Sequence, residues 1–326
     1  MSRPNYRIGL LGASRIAPKS IIRPALKRDD CTIAAIACRD VERGRAYAAE
    51  HGVPDADVIA DYAELCMRDD IDIIYNALPP SKHLGLAWLA EGKVQLIEKP
   101  FAINAQDAAD IAALPGVIME AFHHRYHPAF GHFLKAVEQI RPLHRMTGRF
   151  HVTIPNSPGE LRHIAELGGG SVMDLGTYPL QIARTLAGRE PRIVSAKAIE
   201  GEPKVDLFME AELDFGEGLT ATISSDMRED IERLNYFEAE GAGGTVRYDN
   251  PVHAYRGCTI TSPNGSVSDA DHPRWREITT YDAQLAHLLA CLGMGTSPVT
   301  DARSAVLQMQ AIDAIYEASG LGRRQA

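Results

Sequence analysis

Short apolar runs alternate with helix-like segments along the first 120 residues. The apolar runs are YRIGLL at 6–11, TIAAIA at 32–37, IDIIYNAL at 71–78, VQLIE at 94–98 and VIME at 117–120. The segments between them predict helices around 15–28, 41–51, 62–68 and 82–91. This alternation predicts right-handed βαβ units and a doubly wound parallel sheet, so we assign residues 1–123 to an α/β domain.

The pattern changes after about residue 124. A helix is predicted near 128–140, and β-like runs follow at 144–154, 192–200, 206–215, 219–226 and 233–240. Further helices are predicted at 177–187, 281–292 and 301–318, the first of them after a flexible connection, LGGGS at 167–171. Strands that follow strands indicate a large, mostly antiparallel open sheet. We therefore assign residues 124–326 to an α+β domain and expect its last helix to pack back on the first domain.

Composition and charge fit this two-domain interpretation. The chain has 326 residues, of which 45% are hydrophobic and 24% charged, values typical of a globular protein. The net charge of −9 argues against broad binding to nucleic acid or to an anionic membrane. Neither a signal peptide nor a membrane-spanning segment is predicted.

Cysteine and histidine patterns do not predict a metal site. The five cysteines are scattered without CxxC spacing, which favours reduced thiols in a cytoplasmic protein. His123, His124 and His127 lie close together, but no cysteine or carboxylate repeats nearby at ligand spacing. We expect these histidines to have structural or substrate-contacting roles.

A glycine-containing turn follows the first predicted strand. GASRIA at 12–17 stands where a dinucleotide-binding Rossmann fold places G-x-G-x-x-G/A. Gly12 permits the tight turn, Ser14 replaces the second glycine, and Ala17 lets the helix pack on the strand. Gly12, Ser14, Arg15 and Ile16 are therefore candidate cofactor-binding residues; the alternative is a strand-to-helix turn that binds nothing.

The end of the second strand bears on the choice of cofactor. An arginine there pairs with the 2′-phosphate of NADP, whereas an acid favours NAD. Arg39 is followed by Asp40, which fits equally well as the N-cap of the next helix. We favour NADP held by Arg39, with NAD as the alternative; Arg39 is otherwise a solvated surface charge.

Two more segments reach the carboxyl edge of the sheet, where ligands of open α/β sheets bind. NALPPSKH at 76–83 begins in the apolar run at 71–78 and offers Leu78, Pro79 and His83 as cofactor contacts, although His83 also fits as a helix cap. Glu98 ends the apolar run at 94–98, and Lys99 follows it. We expect Lys99 to point into the crevice; either residue is alternatively one half of an ordinary ion pair.

Four segments together resemble a known family. GASRIA at 12–17, EKPF at 98–101, EAFHHRYHP at 120–128 and GGGSVMDLGTY at 168–178 are similar in order and spacing to those of the Gfo/Idh/MocA oxidoreductases. The resemblance covers nearly the whole chain. It is strongest to the branch that contains dimeric dihydrodiol dehydrogenase and NADP-dependent D-xylose 1-dehydrogenase.

The resemblance implies a catalytic pair, Lys99 and Tyr178, with Asp174 nearby. A neighbouring ammonium stabilises a phenolate, which tyrosine needs in order to accept a proton near neutral pH. Thr177 is expected to cap the helix, with Pro179 in its first turn. Without the resemblance, Tyr178 is more simply a packing residue.

A substrate region is expected from polar and aromatic residues: Phe122, Arg125, Tyr126, Arg162 and His163. Such side chains suit a sugar or polyol, and they also suit any domain interface. The predicted activity is NADP-linked oxidation of a sugar hydroxyl, for instance D-xylose to its lactone. Alternatives are a trans-dihydrodiol dehydrogenase, a 1,5-anhydro-ketose reductase, or a non-catalytic cofactor-binding regulatory protein. The resemblance also implies a homodimer formed through the C-terminal sheet.

Overall fold

A computed structural model describes residues 5–325, which form two compact units. The first unit contains the chain up to Ala102, Gln106–Phe122 and Tyr281–Val306. The second unit contains Ile103–Ala105, His123–Thr280 and the chain from Leu307 onwards. Residues 281–306, which follow the boundary expected from the sequence, thus group with the first unit.

The first unit is built on a parallel sheet of six strands in the order β3-β2-β1-β4-β5-β6. Its strands are β1 (Tyr6–Leu11), β2 (Cys31–Ala37), β3 (Asp57–Ile59), β4 (Ile73–Asn76), β5 (Val94–Ile97) and β6 (Ile118–Glu120). Ile8, Ile36 and Ile74 are almost completely buried, as expected when helices cover both faces of a sheet. The predicted doubly wound parallel sheet is confirmed.

The helices of the first unit largely follow the predicted positions. They are α1 (Arg23–Leu26), α2 (Val41–Glu50), α3 (Tyr62–Met67), α4 (His83–Leu89) and, apart from the first residue of each, α5 (Ala105–Ala112) and α9 (Thr280–Met294). A π-helical segment, Pro18–Ile22, leads into α1. The three-residue strand β3 and helix α5 were not predicted, since neither has a long apolar run.

The second unit is built on a sheet of eight strands in the order β14-β13-β12-β11-β7-β10-β9-β8. The strands are β7 (Leu143–His151), β8 (Arg192–Glu200), β9 (Asp206–Asp214), β10 (Thr220–Asp226), β11 (Leu234–Gly241), β12 (Gly244–Asp249), β13 (Thr259–Ser262) and β14 (Gly265–Ser268). All neighbours are antiparallel except β7 and β10. The predicted mostly antiparallel sheet is confirmed.

Helices α6 (Pro128–Glu138) and α7 (Thr177–Ala187) pack on this sheet. The core includes the rings of Phe130, Phe133 and Tyr248, with Phe133 centroids 5.9 Å and 5.2 Å from the other two. The remaining helices are α8 (Arg274–Glu277) and α10 (Ala302–Ala318). No helix among residues 5–325 is long and apolar enough to cross a membrane.

The glycine-rich connection before α7 leads into a set of buried hydrogen bonds. Ser171 Oγ donates a 2.8 Å hydrogen bond to Asp206 Oδ2, and the Val172 N–H donates a second one of 2.8 Å to the same oxygen. Asp206 also accepts from the Tyr316 hydroxyl at 2.7 Å and lies 3.3 Å from Arg324 Nη2. Gly170, which has no Cβ, leaves the space for this close approach to Asp206, Tyr316 and Arg324.

The helical segment that carries Tyr178 begins earlier than expected. A π-helical turn, Val172–Gly176, runs directly into α7, so Thr177 already lies inside the helical chain and makes no cap. The Thr177 hydroxyl oxygen instead accepts a 3.0 Å hydrogen bond from Gln308 Nε2. The expected Thr177 cap was therefore wrong, because the preceding residues continue the helix.

Replacing Gly170 with alanine tests how closely this junction is packed. Gly170 has φ +132°, and a Cβ there would overlap the Asp206 carboxylate and lie 2.5 Å from Tyr316 Oη. We expect Gly170→Ala to lower the free energy of unfolding by about 3 kcal/mol, measured by urea denaturation. The control, Gly131→Ala in α6, meets no atom within 4 Å. It should be neutral or stabilising by roughly 0.5–1 kcal/mol. Equal effects of the two changes would contradict the prediction.

Candidate active site

The glycine turn of the first unit joins β1 to the helical segment at the point where the strand order reverses. Gly12 has φ +87°, and a Cβ there would lie 2.9 Å from Leu78 Cδ2. Leu78 follows β4, the neighbour of β1 in the sheet. Because ligands of doubly wound sheets bind at this switch point, the absence of a side chain leaves the backbone open to a phosphate group.

Ser14 occupies the position in this turn where the dinucleotide-binding motif has its second glycine. Its hydroxyl oxygen accepts a 3.2 Å hydrogen bond from the Ala17 N–H and so satisfies one donor at the start of the helical segment. Ile16 takes part through its backbone: its carbonyl accepts from the N–H groups of Lys19 and Ser20 at 3.1 and 3.0 Å. Gly12, Ser14 and Ile16 thus shape the turn rather than supply charge.

A basic pocket of about 420 Å³ opens beside the turn. It is lined by Ala13, Ser14, Arg15, Pro18, Lys19, Arg23, Arg43, Tyr47 and His51. These residues fit the diphosphate and a phosphorylated ribose of a dinucleotide, since cationic side chains predominate around exposed backbone. The predicted Arg39 is exposed and does not line this pocket.

Arg43 and Tyr47 were missed by the sequence analysis. Arg43 Nη2 donates to the Ala13 carbonyl at 3.1 Å, and the Tyr47 hydroxyl donates to the Ser14 carbonyl at 2.8 Å. Asp40 caps α2 as expected, accepting from the Arg43 N–H at 3.0 Å. The signal was present: side chains on a helix tilt towards its N-terminus, and α2 begins at the carboxyl edge of the sheet, where the glycine turn also lies.

His83 does not serve as the expected cofactor contact or helix cap. It is completely buried, with Nδ1 3.0 Å from the Phe101 carbonyl oxygen and Nε2 2.8 Å from that of Leu78. Burial lowers the pKa of its imidazole. A neutral imidazole has a single N–H, so His83 donates to one of these two carbonyl oxygens, one in the loop after β4 and the other in the loop after β5. Leu78 and Pro79 stay partly exposed beside it.

Glu98 is anchored within the first unit. The Tyr75 hydroxyl donates to Glu98 Oε1 at 2.7 Å and lies 2.5 Å from Ser20 Oγ. Burial raises the pKa of the Glu98 carboxyl, while the charges of Lys99 and Lys19 act in the opposite direction. Lys99 follows on the carboxyl edge and is partly exposed. Glu98 therefore fixes the strand end from which Lys99 projects.

Tyr178 lies in an aromatic enclosure of the second unit. Its ring centroid is 5.8 Å from that of His123, 5.3 Å from His124 and 5.7 Å from Phe150. The residue is 5% exposed, and its hydroxyl oxygen is 3.2 Å from His123 Nε2. A hydroxyl held by an imidazole is poised for proton chemistry.

The structure brings Asp174 and Arg162 together. Arg162 Nε donates to Asp174 Oδ2 at 2.7 Å, and Arg162 Nη1 donates to Glu160 Oε1 at 2.8 Å. The Asp174 carboxylate, together with that of Glu160, raises the pKa of the Arg162 guanidinium. Asp174 thus carries a charge balanced by Arg162 and lies one helical turn before Tyr178.

The other expected substrate residues differ in their surroundings. Phe122 is 1% exposed, which leaves almost no surface for a substrate, and His163 Nε2 donates to the Ile154 carbonyl at 2.8 Å. Tyr126 is partly exposed. The Arg125 guanidinium lies 4.7 Å from the Phe130 ring centroid, and burial lowers its pKa. Arg125 Nε is buried without a hydrogen-bond partner among residues 5–325, so Arg125 and Tyr126 remain the better candidates.

His127 and the five cysteines are buried within the fold. His127 Nε2 is 3.1 Å and 3.0 Å from the carbonyl oxygens of Trp275 and Ile278, and Nδ1 accepts from the Ala129 N–H at 3.3 Å. Within the described range, no group of three or more histidine, cysteine, aspartate or glutamate residues is placed to hold a metal ion. All five cysteines are free thiols and buried.

A parallel sheet with a glycine turn and a basic pocket, together with a second α+β unit, defines an NAD(P)-dependent oxidoreductase. The family model for the oxidoreductase family with an NAD-binding Rossmann fold matches residues 6–115, and that for the GFO/IDH/MocA C-terminal domain matches residues 139–247. The chain belongs to the Gfo/Idh/MocA oxidoreductase family, as its sequence predicted.

Two relatives show the range of known activities. A D-xylose 1-dehydrogenase (NADP⁺) of Haloferax volcanii is 29% identical, and the match covers 96% of this chain and 97% of the relative. A trans-1,2-dihydrobenzene-1,2-diol dehydrogenase of Xenopus tropicalis is 31% identical over 67% of this chain and 68% of the relative.

Solved structures share the fold. The aldose-aldose oxidoreductase from Caulobacter crescentus complexed with glycerol has a TM-score of 0.85 at 24% identity, covering 98% of both chains. A 3-ketoreductase from Actinomadura kijaniata in complex with NADP and TDP-benzene has a TM-score of 0.82 at 20% identity, covering 96% of this chain and 98% of the other.

The buried His124 beside Tyr178 predicts a specific acid sensitivity. Burial, reinforced by the charge of Arg125, lowers the pKa of its imidazole from 6.5 to about 3. The imidazole stays neutral when folded but takes up a proton once unfolded, so acid favours unfolding as the pH falls below 6.5 towards 3. Between pH 7 and pH 5, wild type should lose about 2 kcal/mol more stability than His124→Gln.

Urea denaturation at the two pH values measures this difference. The control is His144→Gln, since the His144 side chain is 60% exposed. A loss between pH 7 and pH 5 that is the same in wild type, His124→Gln and His144→Gln would show that His124 does not carry the effect.

Proposed function

We propose that this protein oxidises a hydroxyl of a sugar or polyol by hydride transfer to NADP, with a D-xylose-type aldose as the substrate. The observation that carries the proposal is the Tyr178 hydroxyl, which is buried in an aromatic enclosure yet hydrogen-bonded to His123. A buried phenol needs a hydrogen-bond partner in any role, and an imidazole partner is one that can also support transfer of a proton. The NADP-dependent xylose dehydrogenase matched along nearly its whole length supports the substrate class.

Lys99 and Tyr178 act on the same substrate oxygen in this proposal. Tyr178, as the phenolate, takes the hydroxyl proton, and the Lys99 ammonium stabilises negative charge on the oxygen as the carbonyl forms. NADP, when bound, would supply the acceptor for the hydride that leaves the substrate carbon. Oxidation at the anomeric carbon of an aldopyranose yields a lactone. Asp174, held by Arg162, fixes the turn that precedes Tyr178.

Substrate hydroxyls are bound by Arg125 and Tyr126 in this proposal. A buried guanidinium Nε without a partner is costly, so a ligand oxygen that accepts from it gains a strong hydrogen bond.

A trans-dihydrodiol is the second candidate substrate, supported by the 31% identical dihydrodiol dehydrogenase. Solved variants of the Actinomadura 3-ketoreductase replace a tyrosine or a lysine, the two residue types proposed here.

We also propose a homodimer formed through the sheet of the second unit. Half-exposed polar and aromatic side chains lie on its strands, among them Arg149, Tyr236 and Glu238. The Arg247 guanidinium lies 3.8 Å from the centroid of the Tyr236 ring. Such planar groups are common at the centres of protein interfaces. The cytoplasmic location stays a prediction.

The cofactor assignment is tested at the basic pocket. Arg43 supplies a charge to the 2′-phosphate of NADP, so we expect Arg43→Ala to raise the Kd for NADP at least about tenfold and to change that for NAD little. Titration of protein fluorescence with each cofactor measures both constants. Arg39→Ala compares the residue first expected, and Arg45→Ala, on the same helix but outside this pocket, is the control. A loss confined to Arg39→Ala would overturn the assignment to Arg43.

The catalytic assignment is tested with an aldose and diol panel. Wild type should produce NADPH with at least one aldose, whereas Tyr178→Phe and Lys99→Ala should each lower kcat by about 10²-fold or more. Unchanged NADP affinity and unfolding midpoints would show that the loss is chemical. The matched controls are Tyr62→Phe in α3 and Lys135→Ala in α6, which lie outside the proposed site and the proposed dimer interface.

The panel also separates the alternatives. Turnover of a trans-dihydrodiol but no aldose identifies the second candidate substrate. NADP binding without turnover of any panel member in either direction would contradict the enzymatic proposal and favour a regulatory role.

A further inference from the structure

We propose that Thr280 and His123 form a hydrogen-bond relay that donates to the Tyr178 hydroxyl oxygen and stabilises its phenolate. The inference deepens the proposed function and rests on it. His123 is a positioning residue in this account, because it acts through Tyr178 rather than on the substrate.

The three side chains form a continuous chain of contacts in the second unit. Thr280 Oγ1 is 2.8 Å from His123 Nδ1, and His123 Nε2 is 3.2 Å from Tyr178 Oη. Thr280 is 0%, His123 2% and Tyr178 5% exposed. Water therefore has little access to these contacts, and each polar atom depends on its protein partner.

The direction of the relay follows from Thr280. Its hydroxyl hydrogen needs an acceptor, and His123 Nδ1 is the sole hydrogen-bond partner of Thr280 Oγ1 in the described part of the chain. If Thr280 donates to Nδ1, a neutral imidazole must carry its hydrogen on Nε2. That N–H then points at Tyr178 Oη and donates to it.

A donor aimed at the phenol oxygen favours its charged form. Hydrogen bonds to an ionised group are stronger than those to the neutral group, so the Nε2–H shifts the equilibrium towards phenolate. When the phenolate accepts the substrate proton, Tyr178 returns to the neutral phenol and His123 keeps its own hydrogen. The relay therefore needs no proton exit of its own.

Neighbouring titratable groups do not replace His123 in this role. His124 also lies against the Tyr178 ring, but its Nε2 is 3.1 Å from Gln181 Oε1 and bonds there. His253 contacts the ring of His123, with centroids 5.7 Å apart. His124 thus offers a matched comparison: an imidazole in the same enclosure that is bonded elsewhere.

The tautomer of His123 tests the relay without any activity measurement. In the full chain labelled with ¹⁵N-histidine and free of cofactor, we expect neutral His123 with its hydrogen on Nε2. A His123→Gln difference spectrum assigns the signal. Tyr178→Phe should shift the His123 Nε2 resonance and leave the His124 Nε2 resonance nearly unchanged. A hydrogen on Nδ1, or an equal response of both histidines, would overturn the proposal.

Kinetics of paired variants provide the second test. His123→Leu removes the donor and should lower kcat about tenfold with KM nearly unchanged, while His123→Gln, which keeps an N–H donor, should recover most of it. Thr280→Val should lower kcat and Thr280→Ser should not. The Thr280 pair keeps the test decisive if His123→Leu fails to fold.

The outcomes separate the relay from the proposed function. Full activity of both Thr280→Val and His123→Leu, with Tyr178→Phe inactive, refutes the relay and leaves the function standing. A wild type that oxidises no substrate refutes the function, and the His123 tautomer then still decides whether the relay exists.

Discussion

The buried carboxylate of Asp206 is the constraint on which the proposed chemistry of the second unit depends. It accepts hydrogen bonds from Ser171 and Val172 at the start of the helical segment and from Tyr316 in α10. Burial raises the pKa of this carboxyl, and the hydrogen bonds oppose that shift. Two successive turns of the segment anchored in this way carry Asp174 and Tyr178. Asp206 lies well beyond both residues in the sequence, yet its hydrogen bonds hold the start of the helical segment from which the Tyr178 side chain projects.

In the first unit, buried residues likewise hold the carboxyl edge of the sheet in place. Gly12 packs against Leu78 with φ +87°, His83 lies between two loops within hydrogen-bond distance of a carbonyl oxygen of each, and Tyr75 donates to Glu98. Buried polar groups with partners are rigid, because a broken hydrogen bond would leave a desolvated atom unpaired. The edge that bears Lys99 is thus organised by groups that need not touch the ligand themselves.

Much of the architecture was predictable because its signals are local. Apolar runs such as TIAAIA and VQLIE encode buried parallel strands, and these appear as β2 and β5. The short strand β14, GSVS, has no apolar run, and it forms because it pairs with β13. Its stability comes from a neighbouring strand, which a sequence window does not contain.

The same distinction applies to the site residues: those in local motifs were predicted, and those whose roles depend on distant partners were not. Gly12, Lys99 and Tyr178 stand in motifs and were named from the sequence. Arg43 was missed because its role depends on the start of α2 facing the glycine turn. The roles of His83 and His123 depend on partners far along the chain or in another element, Phe101 for one and Thr280 for the other. The sequence left His83 as a cofactor contact or a helix cap and His123 as a structural or substrate-contacting residue. In the structure the ring nitrogens of both lie within hydrogen-bond distance of protein atoms.

The central claim is that Lys99 and Tyr178 serve one substrate oxygen. A crystal structure of the full chain with NADP and a slowly reacting aldose analogue, 5-thio-D-xylose for example, tests it most directly. The account predicts Lys99 Nζ and Tyr178 Oη within hydrogen-bond distance of the same sugar hydroxyl, with the adjacent carbon facing the nicotinamide. A bound sugar whose reacting hydroxyl contacts neither side chain would contradict it.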